Sequence, residues 1–140
     1  MPFLFGETMK VGFINGCFDI LHVGHVKLLS FAKTKCDYLI VAIDSDERVA
    51  SLKGQFRPFN KLNDRASMLT AIRYVDEVRS FMTVSELEST IELIHPDVMI
   101  VGSDYENKKV IGAEFAKELL FFRRIDGYST TKILENSSDR

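Results

Sequence analysis

The sequence predicts a three-layer, Rossmann-like α/β fold, in which about five parallel strands form a doubly wound sheet with helices on both faces. Strand-like apolar segments alternate along the chain with segments whose apolar residues recur at helical spacing, which is typical of a parallel sheet. Residues 38–43 are apolar at every position, as expected of a strand buried on both faces. The 140 residues are 46% hydrophobic and 27% charged, the balance of a globular domain that can bury a core.

Five segments are predicted to be strands, at 11–15, 38–43, 77–81, 98–101 and 119–123. Apolar residues recur at helical spacing after His25, along 68–75 and along 87–94. A short helix is predicted over 46–52, and Arg65 is predicted to begin the next one. A last helix is predicted to start at Ser129, because Ser and Thr are good N-caps.

Composition excludes several classes of protein. The net charge of −2 disfavours a protein that coats nucleic acid. No apolar run reaches the length of a membrane span, and the first residues do not resemble a signal peptide. Cys17 and Cys36 are too few for a disulfide framework, so we expect reduced thiols in a cytoplasmic protein without a membrane partner.

No repeat or linker divides the chain, so we expect a single domain over residues 9–136. Met9 directly precedes the first predicted strand and is a second possible start. Residues 1–8 are therefore predicted to be an appendage, and residues 137–140 a tail.

The exit of the first strand carries the residues best suited to phosphate chemistry. Gly16 permits a tight turn and a close approach of the backbone to a ligand, and Gly24 leaves space beside a helix start. His22 and His25 are three residues apart, so both side chains fall on one side of a first helical turn. A helix N-terminus already favours phosphate, and two imidazoles can donate hydrogen bonds to a displacement transition state there.

Two simpler interpretations of these histidines fit the sequence less well. A zinc site is disfavoured because no Glu lies between them, His95 is the only other histidine, and no cysteines cluster nearby. Either histidine alone would be an ordinary surface residue, but the complete run at 16–25 makes that interpretation unsatisfactory.

Residues 16–25, Gly-Cys-Phe-Asp-Ile-Leu-His-Val-Gly-His, resemble the GxFDxxHxGH signature of the cytidylyltransferase-like nucleotidyltransferases. Members of that family activate a phosphorylated alcohol, sugar or cofactor precursor with CTP or ATP and release pyrophosphate. The resemblance implies that His22 and His25 are catalytic. It also implies nucleotide contacts from the other motif positions, namely Gly16, Cys17, Phe18, Asp19 and Gly24.

A second motif lies near the C-terminus, where residues 124–133 resemble the family's RTxGISTT element. There the hydroxyls and free N–H groups of a helix start form an anion site beside a basic residue. The nucleotide-binding residues predicted in this segment are Arg124, Ser129, Thr130 and Thr131. Alone, Ser-Thr-Thr would be an ordinary N-cap, and its pairing with the histidine motif favours the functional interpretation.

Two further segments contribute candidates. Lys53 and Arg57 flank Gly54 and are suited to clamping the β- and γ-phosphates, although Arg57 fits a solvated basic loop equally well. Arg65 resembles the arginine that family members direct at the phosphates. By the same resemblance, the segment after the fourth strand contacts the base and ribose, with candidates Gly102, Asp104 and Tyr105, although Tyr105 is equally suited to packing.

The resemblance divides between two subclasses. Segments 52–60, 102–105 and 111–114 are similar to the adenylyltransferase domain of ADP-heptose synthases, which joins AMP from ATP to a heptose 1-phosphate. Segments 71–78 and 124–133 are similar to glycerol-3-phosphate cytidylyltransferases, which use CTP. Heptose-type enzymes usually lack an arginine at position 124, and glycerol-type enzymes carry Trp where this chain has Tyr105. We favour the heptose type because its matches span more separate loops.

The expected reaction is in-line attack of an acceptor phosphate on the α-phosphorus, with Mg²⁺ or Mn²⁺ neutralising the leaving pyrophosphate. No protein ligand for that metal is identifiable in the sequence. The expected partners are a nucleoside triphosphate, a phosphorylated sugar or polyol, and a second copy of the chain, since small members of the family commonly dimerise. A non-catalytic nucleotide-binding module is an alternative that retention of both histidines disfavours, and cofactor-precursor adenylyltransferases differ in the Ser-Thr-Thr element.

Overall fold

A computed structural model of the protein describes residues 9–102 and 108–123, and these form a five-stranded parallel sheet with helices between the strands. The strands are β1 (Val11–Gly16), β2 (Tyr38–Asp44), β3 (Glu77–Phe81), β4 (Val98–Gly102) and β5 (Glu118–Phe122). The helices are α1 (Val23–Thr34), α2 (Asp46–Lys53), α3 (Leu62–Thr70) and α4 (Val84–Ile94), and a 3₁₀ turn spans Ala113–Phe115. The predicted Rossmann-like α/β fold is therefore confirmed.

The third helix differs most from its prediction. It begins at Leu62 rather than at Arg65, and it ends at Thr70. Met68, which was expected on the apolar face, is 53% exposed. Ile72 lies beyond the helix end and packs against the core from a turn, because the chain must turn there to reach β3. In the sequence, the helical spacing of apolar residues therefore extends beyond the end of the helix.

The core lies on both faces of the sheet, and alternate residues of β2 show why. Leu39, Val41 and Ile43 join the cluster that includes Leu29 of α1 and Leu69 of α3. Ile40 and Ala42 join the opposite cluster, which includes Leu87 and Ile91 of α4. A strand covered on both faces has no polar side, which explains the uninterrupted apolar run in the sequence.

At the amino end of the sheet, aspartates fasten the starts of the strands. Asp97 Oδ2 accepts the backbone N–H of Val11 at 2.7 Å, and Asp76 Oδ2 accepts that of Leu39 at 2.8 Å. Burial raises the pKa of Asp97, but the hydrogen bond from Val11 and the pairing with Lys117 hold that pKa below its usual value overall. These aspartates therefore stabilise the starts of β1 and β2.

The strand order, β3-β2-β1-β4-β5, fixes where a ligand can bind. The chain goes outward through β2 and β3 on one side of β1, then returns to β4 on the other side. Ligands of open α/β sheets bind outside the carboxyl ends of the strands where this reversal occurs. The reversal lies between β1 and β4, immediately before the histidine motif.

Candidate active site

A cleft of about 300 Å³ opens at the carboxyl ends of the strands. Gly16 and Cys17 from the end of β1 and Gly102 from the end of β4 line it, as the strand reversal predicts. Lys53, at the last position of α2, also lines the cleft. Four of the predicted site residues are thus brought together here.

The two motif histidines together cap the N-terminus of α1. His22 is the N-cap residue, in an extended conformation, and its Nδ1 accepts the backbone N–H of Gly24 at 3.1 Å. In return, His25 Nδ1 accepts the backbone N–H of His22 at 3.3 Å. This is a reciprocal capping box, with histidines in the positions where Ser or Thr and Glu or Gln are usual.

This cap determines which ring nitrogen can reach a ligand. A nitrogen that accepts a hydrogen bond carries no proton, so each ring holds its proton on Nε2. The two rings stack with centroids 3.8 Å apart, which aligns them side by side at the helix start. Two N–H donors therefore add to the helix dipole at one place, an arrangement that suits phosphate oxygens gaining negative charge.

Phe18 packs against His25 and does not line the cleft. Its side chain is buried, and its ring centroid lies 5.0 Å from that of His25. Its φ of 50° is unusual for a residue other than glycine, and a Cβ on Gly16 would lie 3.0 Å from its ring. The tight turn after β1 therefore presses an aromatic ring against a catalytic candidate.

Asp19 anchors the loop that follows α2. Its carboxylate is buried and accepts the backbone N–H groups of Phe59 and Asn60, each at 2.8 Å. It also pairs with Arg57 Nε at 3.1 Å, and the Asn60 side-chain amide donates to the Asp19 carbonyl. Asp19 thus fixes the loop at residues 57–60 against the histidine motif. The predicted nucleotide contacts of Asp19 and Arg57 remain predictions.

Arg65 is the most buried charged residue described, with 1% of its surface exposed. Its guanidinium donates to the carbonyls of Cys17 at 3.1 Å, Asp44 at 2.8 Å and Asn60 at 3.0 Å. It also forms a 2.7 Å ion pair with Asp46. These contacts place Arg65 behind the cleft wall, where it holds four segments in position, and direct contact with phosphate remains a prediction.

Three charged residues that the sequence did not single out as site residues also line the cleft. Asp44 ends β2, Arg48 lies in the first turn of α2, and Lys109 follows β4. Arg48 Nε pairs with Asp44 Oδ2 at 3.0 Å. The signal for this pair was present in the sequence, since an aspartate ending a buried strand precedes an arginine by four residues.

Cys17 is a half-buried free thiol in the cleft wall. Burial raises its pKa above the usual value, although the positive charges of Lys53 and Arg65 oppose that rise. The thiol is therefore protonated at neutral pH and is not a nucleophile there.

Six predicted nucleotide contacts lie outside the described residues: Asp104, Tyr105, Arg124, Ser129, Thr130 and Thr131. Within residues 9–102 and 108–123, His, Cys, Asp and Glu side chains form no group of three that could hold a metal ion. Over the same residues, no helix is long and apolar enough to cross a membrane.

A family model described as cytidylyltransferase-like matches residues 13–136, which include the cap, the cleft and the second motif. The chain belongs to the cytidylyltransferase-like family. The resemblance of residues 16–25 to the cytidylyltransferase-like nucleotidyltransferases is thereby confirmed.

Relatives of this cytidylyltransferase-like protein include two proteins named bifunctional protein HldE. The one from Sulfurimonas denitrificans is 52% identical over 126 residues, which cover 90% of this chain and 26% of the relative. The one from Helicobacter hepaticus is 46% identical over 130 residues, which cover 93% of this chain and 27% of the relative. The chain thus spans about a quarter of the length of these curated relatives.

Solved structures share the fold of the cytidylyltransferase-like chain. A lipopolysaccharide core biosynthesis protein from Thermoplasma volcanium superposes with a TM-score of 0.70 at 23% identity, covering 85% of this chain and all of that one. A pantoate-beta-alanine ligase from Francisella tularensis gives a TM-score of 0.61 at 16% identity, covering 93% of this chain and 69% of that one. At these identities the likeness concerns the fold alone.

Proposed function

We propose that this chain transfers a nucleoside monophosphate from ATP to a heptose 1-phosphate-type acceptor and releases pyrophosphate. The observation that carries the proposal is the reciprocal histidine cap beside the strand reversal. It supplies two fixed N–H donors where the α-phosphate of a nucleotide would gain charge. The HldE relatives at 46% and 52% identity support the heptose type.

In the proposed reaction the protein positions and stabilises but forms no covalent bond. The acceptor phosphate attacks the α-phosphorus in line, and the bond to the pyrophosphate oxygen breaks. His22 and His25 donate from Nε2 to the α-phosphate oxygens, and Lys53 holds the departing phosphates. Asp19 and Arg65 act indirectly, by fixing the loops that carry these groups.

Mg²⁺ or Mn²⁺ fits this proposal as an ion bound mainly by the nucleotide's phosphates and by water. The carboxylates nearest the cleft are engaged in ion pairs, Asp19 with Arg57, Asp44 with Arg48 and Asp46 with Arg65. When bound, the ion would neutralise charge on the leaving pyrophosphate.

Among the described residues, the positions of the subclass matches favour the heptose type over the glycerol type, and the glycerol-like segment 124–133 lies outside those residues. Lys53 of the heptose-like loop lines the cleft, and the rest of that loop is held by Asp19. The glycerol-like segment 71–78 lies at the amino end of the sheet, where Asp76 bonds to Leu39. That segment is therefore far from any substrate at the carboxyl ends and carries no information about the base or the acceptor.

The decisive experiment is a pyrophosphate-release screen that pairs ATP or CTP with a heptose 1-phosphate or glycerol 3-phosphate, with the products identified by mass spectrometry. We expect release with ATP and the heptose 1-phosphate, accompanied by an ADP-sugar. His25→Ala should abolish it. His95→Asn is the matched control, because His95 lies at the amino end of β4 in a left-handed conformation that Asn tolerates.

Two outcomes would overturn the proposal. Release with CTP and glycerol 3-phosphate alone would assign the chain to the glycerol type. Nucleotide binding without release for any pair would show a non-catalytic module.

A further inference from the structure

The described lining of the cleft does not include His22 or His25, where the α-phosphate is proposed to lie. Because β2 and β3 lie on one side of β1, the ends of these strands border the cleft through Asp44 and Phe81. The segment after β4 borders the cleft from the other side of β1 through Lys109. A nucleotide whose α-phosphate lies at the histidines therefore leaves the part of the cleft between the ends of β2 and β4 for a second substrate.

The charge of the cleft differs from that of the whole chain. Among the described residues, the cleft is lined by three cations, Arg48, Lys53 and Lys109, and by a single carboxylate, Asp44, an excess of two positive charges. The whole chain carries a net charge of −2. An anionic substrate is thus attracted to this cleft in spite of the overall charge.

Arg48 and Asp44 are held in place by the fold. Their side chains are 21% and 12% exposed, and Arg48 Nε donates to Asp44 Oδ2 at 3.0 Å. The guanidinium lies 5.5 Å from the ring centroid of Phe81. A charged pair held by its own ion pair and by an aromatic ring is preorganised for a ligand, so little rotamer entropy is lost on binding.

The pair retains unused hydrogen-bonding groups. Arg48 uses Nε for Asp44, and the described part of the chain supplies no partner for its two terminal nitrogens. The Lys109 side chain lines the same cleft, is exposed, and likewise has no partner among residues 9–102 and 108–123. A guanidinium fork and an ammonium are donors suited to a phosphate monoester, and a carboxylate oxygen accepts from hydroxyl groups.

We propose that Asp44, Arg48 and Lys109 form the acceptor subsite, which takes the phosphate monoester of a polyhydroxylated sugar. Arg48 and Lys109 bind the phosphate, and Asp44 accepts hydrogen bonds from the hydroxyl groups of the sugar. The inference rests on the proposed function, because it assigns the second substrate of that reaction. The separate roles of the cations and of Asp44 can be tested, because a phosphate without hydroxyl groups would contact only the two cations.

The test is calorimetric binding of two probes to the full chain, a heptose 1-phosphate and methyl phosphate. Lys109→Met and Arg48→Met should weaken both probes by about tenfold or more, the loss expected for a charge-assisted hydrogen bond. Asp44→Asn should weaken the heptose 1-phosphate by a similar factor, and it should not weaken methyl phosphate, because the Asn oxygen can still accept from Arg48 Nε. Lys117→Met is the control, because this lysine lies at the amino end, paired with Asp97.

Equal weakening of both probes by Asp44→Asn, or an unchanged affinity in Lys109→Met, would overturn the subsite. Because Lys109 is exposed, its variant tests the subsite even where Asp44→Asn lowers stability. Failure of the proposed function is distinguishable. In that case no transfer would occur, while the binding pattern across the variants would still support or contradict the subsite.

Discussion

Replacing His22 with Asn should separate two roles that this residue performs at once. Its Nδ1 caps α1 and its Nε2 is the proposed donor to phosphate. Asn is among the best N-cap residues, and its side-chain oxygen can take the position of Nδ1. It has no group at the position of Nε2. His22→Asn therefore keeps the cap and removes the donor, whereas His22→Ala removes both.

The expected magnitudes differ between stability and turnover. Loss of an N-cap costs about 1 kcal/mol of unfolding free energy, so His22→Ala should be less stable than His22→Asn by about that amount. Loss of a preorganised transition-state donor costs about 100-fold to 1000-fold in kcat. Both variants should show that loss, and their KM for the nucleotide should change far less.

Urea denaturation followed by circular dichroism measures the stability difference, and pyrophosphate release measures kcat. Two results would refute the reasoning. If His22→Asn kept kcat within tenfold of the parent chain, the Nε2 donor would have no catalytic part. If His22→Ala were as stable as His22→Asn, the histidine would not cap the helix.

Three further predictions concern residues around and away from the cleft. Arg65→Met should lower the unfolding free energy by about 3 kcal/mol or more in urea denaturation, because it leaves buried carbonyls unpaired; a loss below 1 kcal/mol would contradict this. Iodoacetamide should alkylate Cys17 slowly at pH 7 and faster as pH rises past 9, because burial raises the pKa of this thiol. ATP should protect Cys17 from alkylation but should not protect Cys36, which packs against Gly12 at the amino end. Equal protection of both thiols would place the nucleotide elsewhere. Because the pKa of Asp97 is lowered in the fold, its carboxylate stabilises the protein above about pH 4, and this stabilisation is lost as pH falls through the lowered pKa. Asp97→Asn should therefore be less stable than the parent chain at pH 7 and should lose less stability on acidification, which urea titrations at neutral and acidic pH would show.

Most of the fold could be predicted because the apolar pattern reports burial directly. The uninterrupted run at 38–43 indicated a strand covered on both faces, and β2 is Tyr38–Asp44. The end of α3 was missed for the same reason. Ile72 is apolar because it packs against the core, and packing from a turn leaves the same signature as packing from a helix.

The site could be predicted only where its chemistry is local. His22 and His25 lie within one helical turn, so their spacing indicated that both side chains fall on one side of the helix start. Three of the four partners of Arg65 are 19 to 48 residues distant in sequence, and those of Asp19 are 38 to 41 residues distant. A helical arginine that donates to remote carbonyls has the same sequence pattern as an exposed one, so its burial required the structure.

Arg65 has a further consequence for the order in which substrates bind. One guanidinium joins the turn after β1, next to the histidines, to the end of β2, next to the proposed acceptor subsite. A displacement of either segment is therefore resisted by the other. A ligand that fixes one segment lowers the entropy cost of fixing the second, so the two substrates should bind with positive cooperativity. By reciprocity, a nucleotide that tightens acceptor binding by some factor must itself be tightened by the acceptor by that same factor.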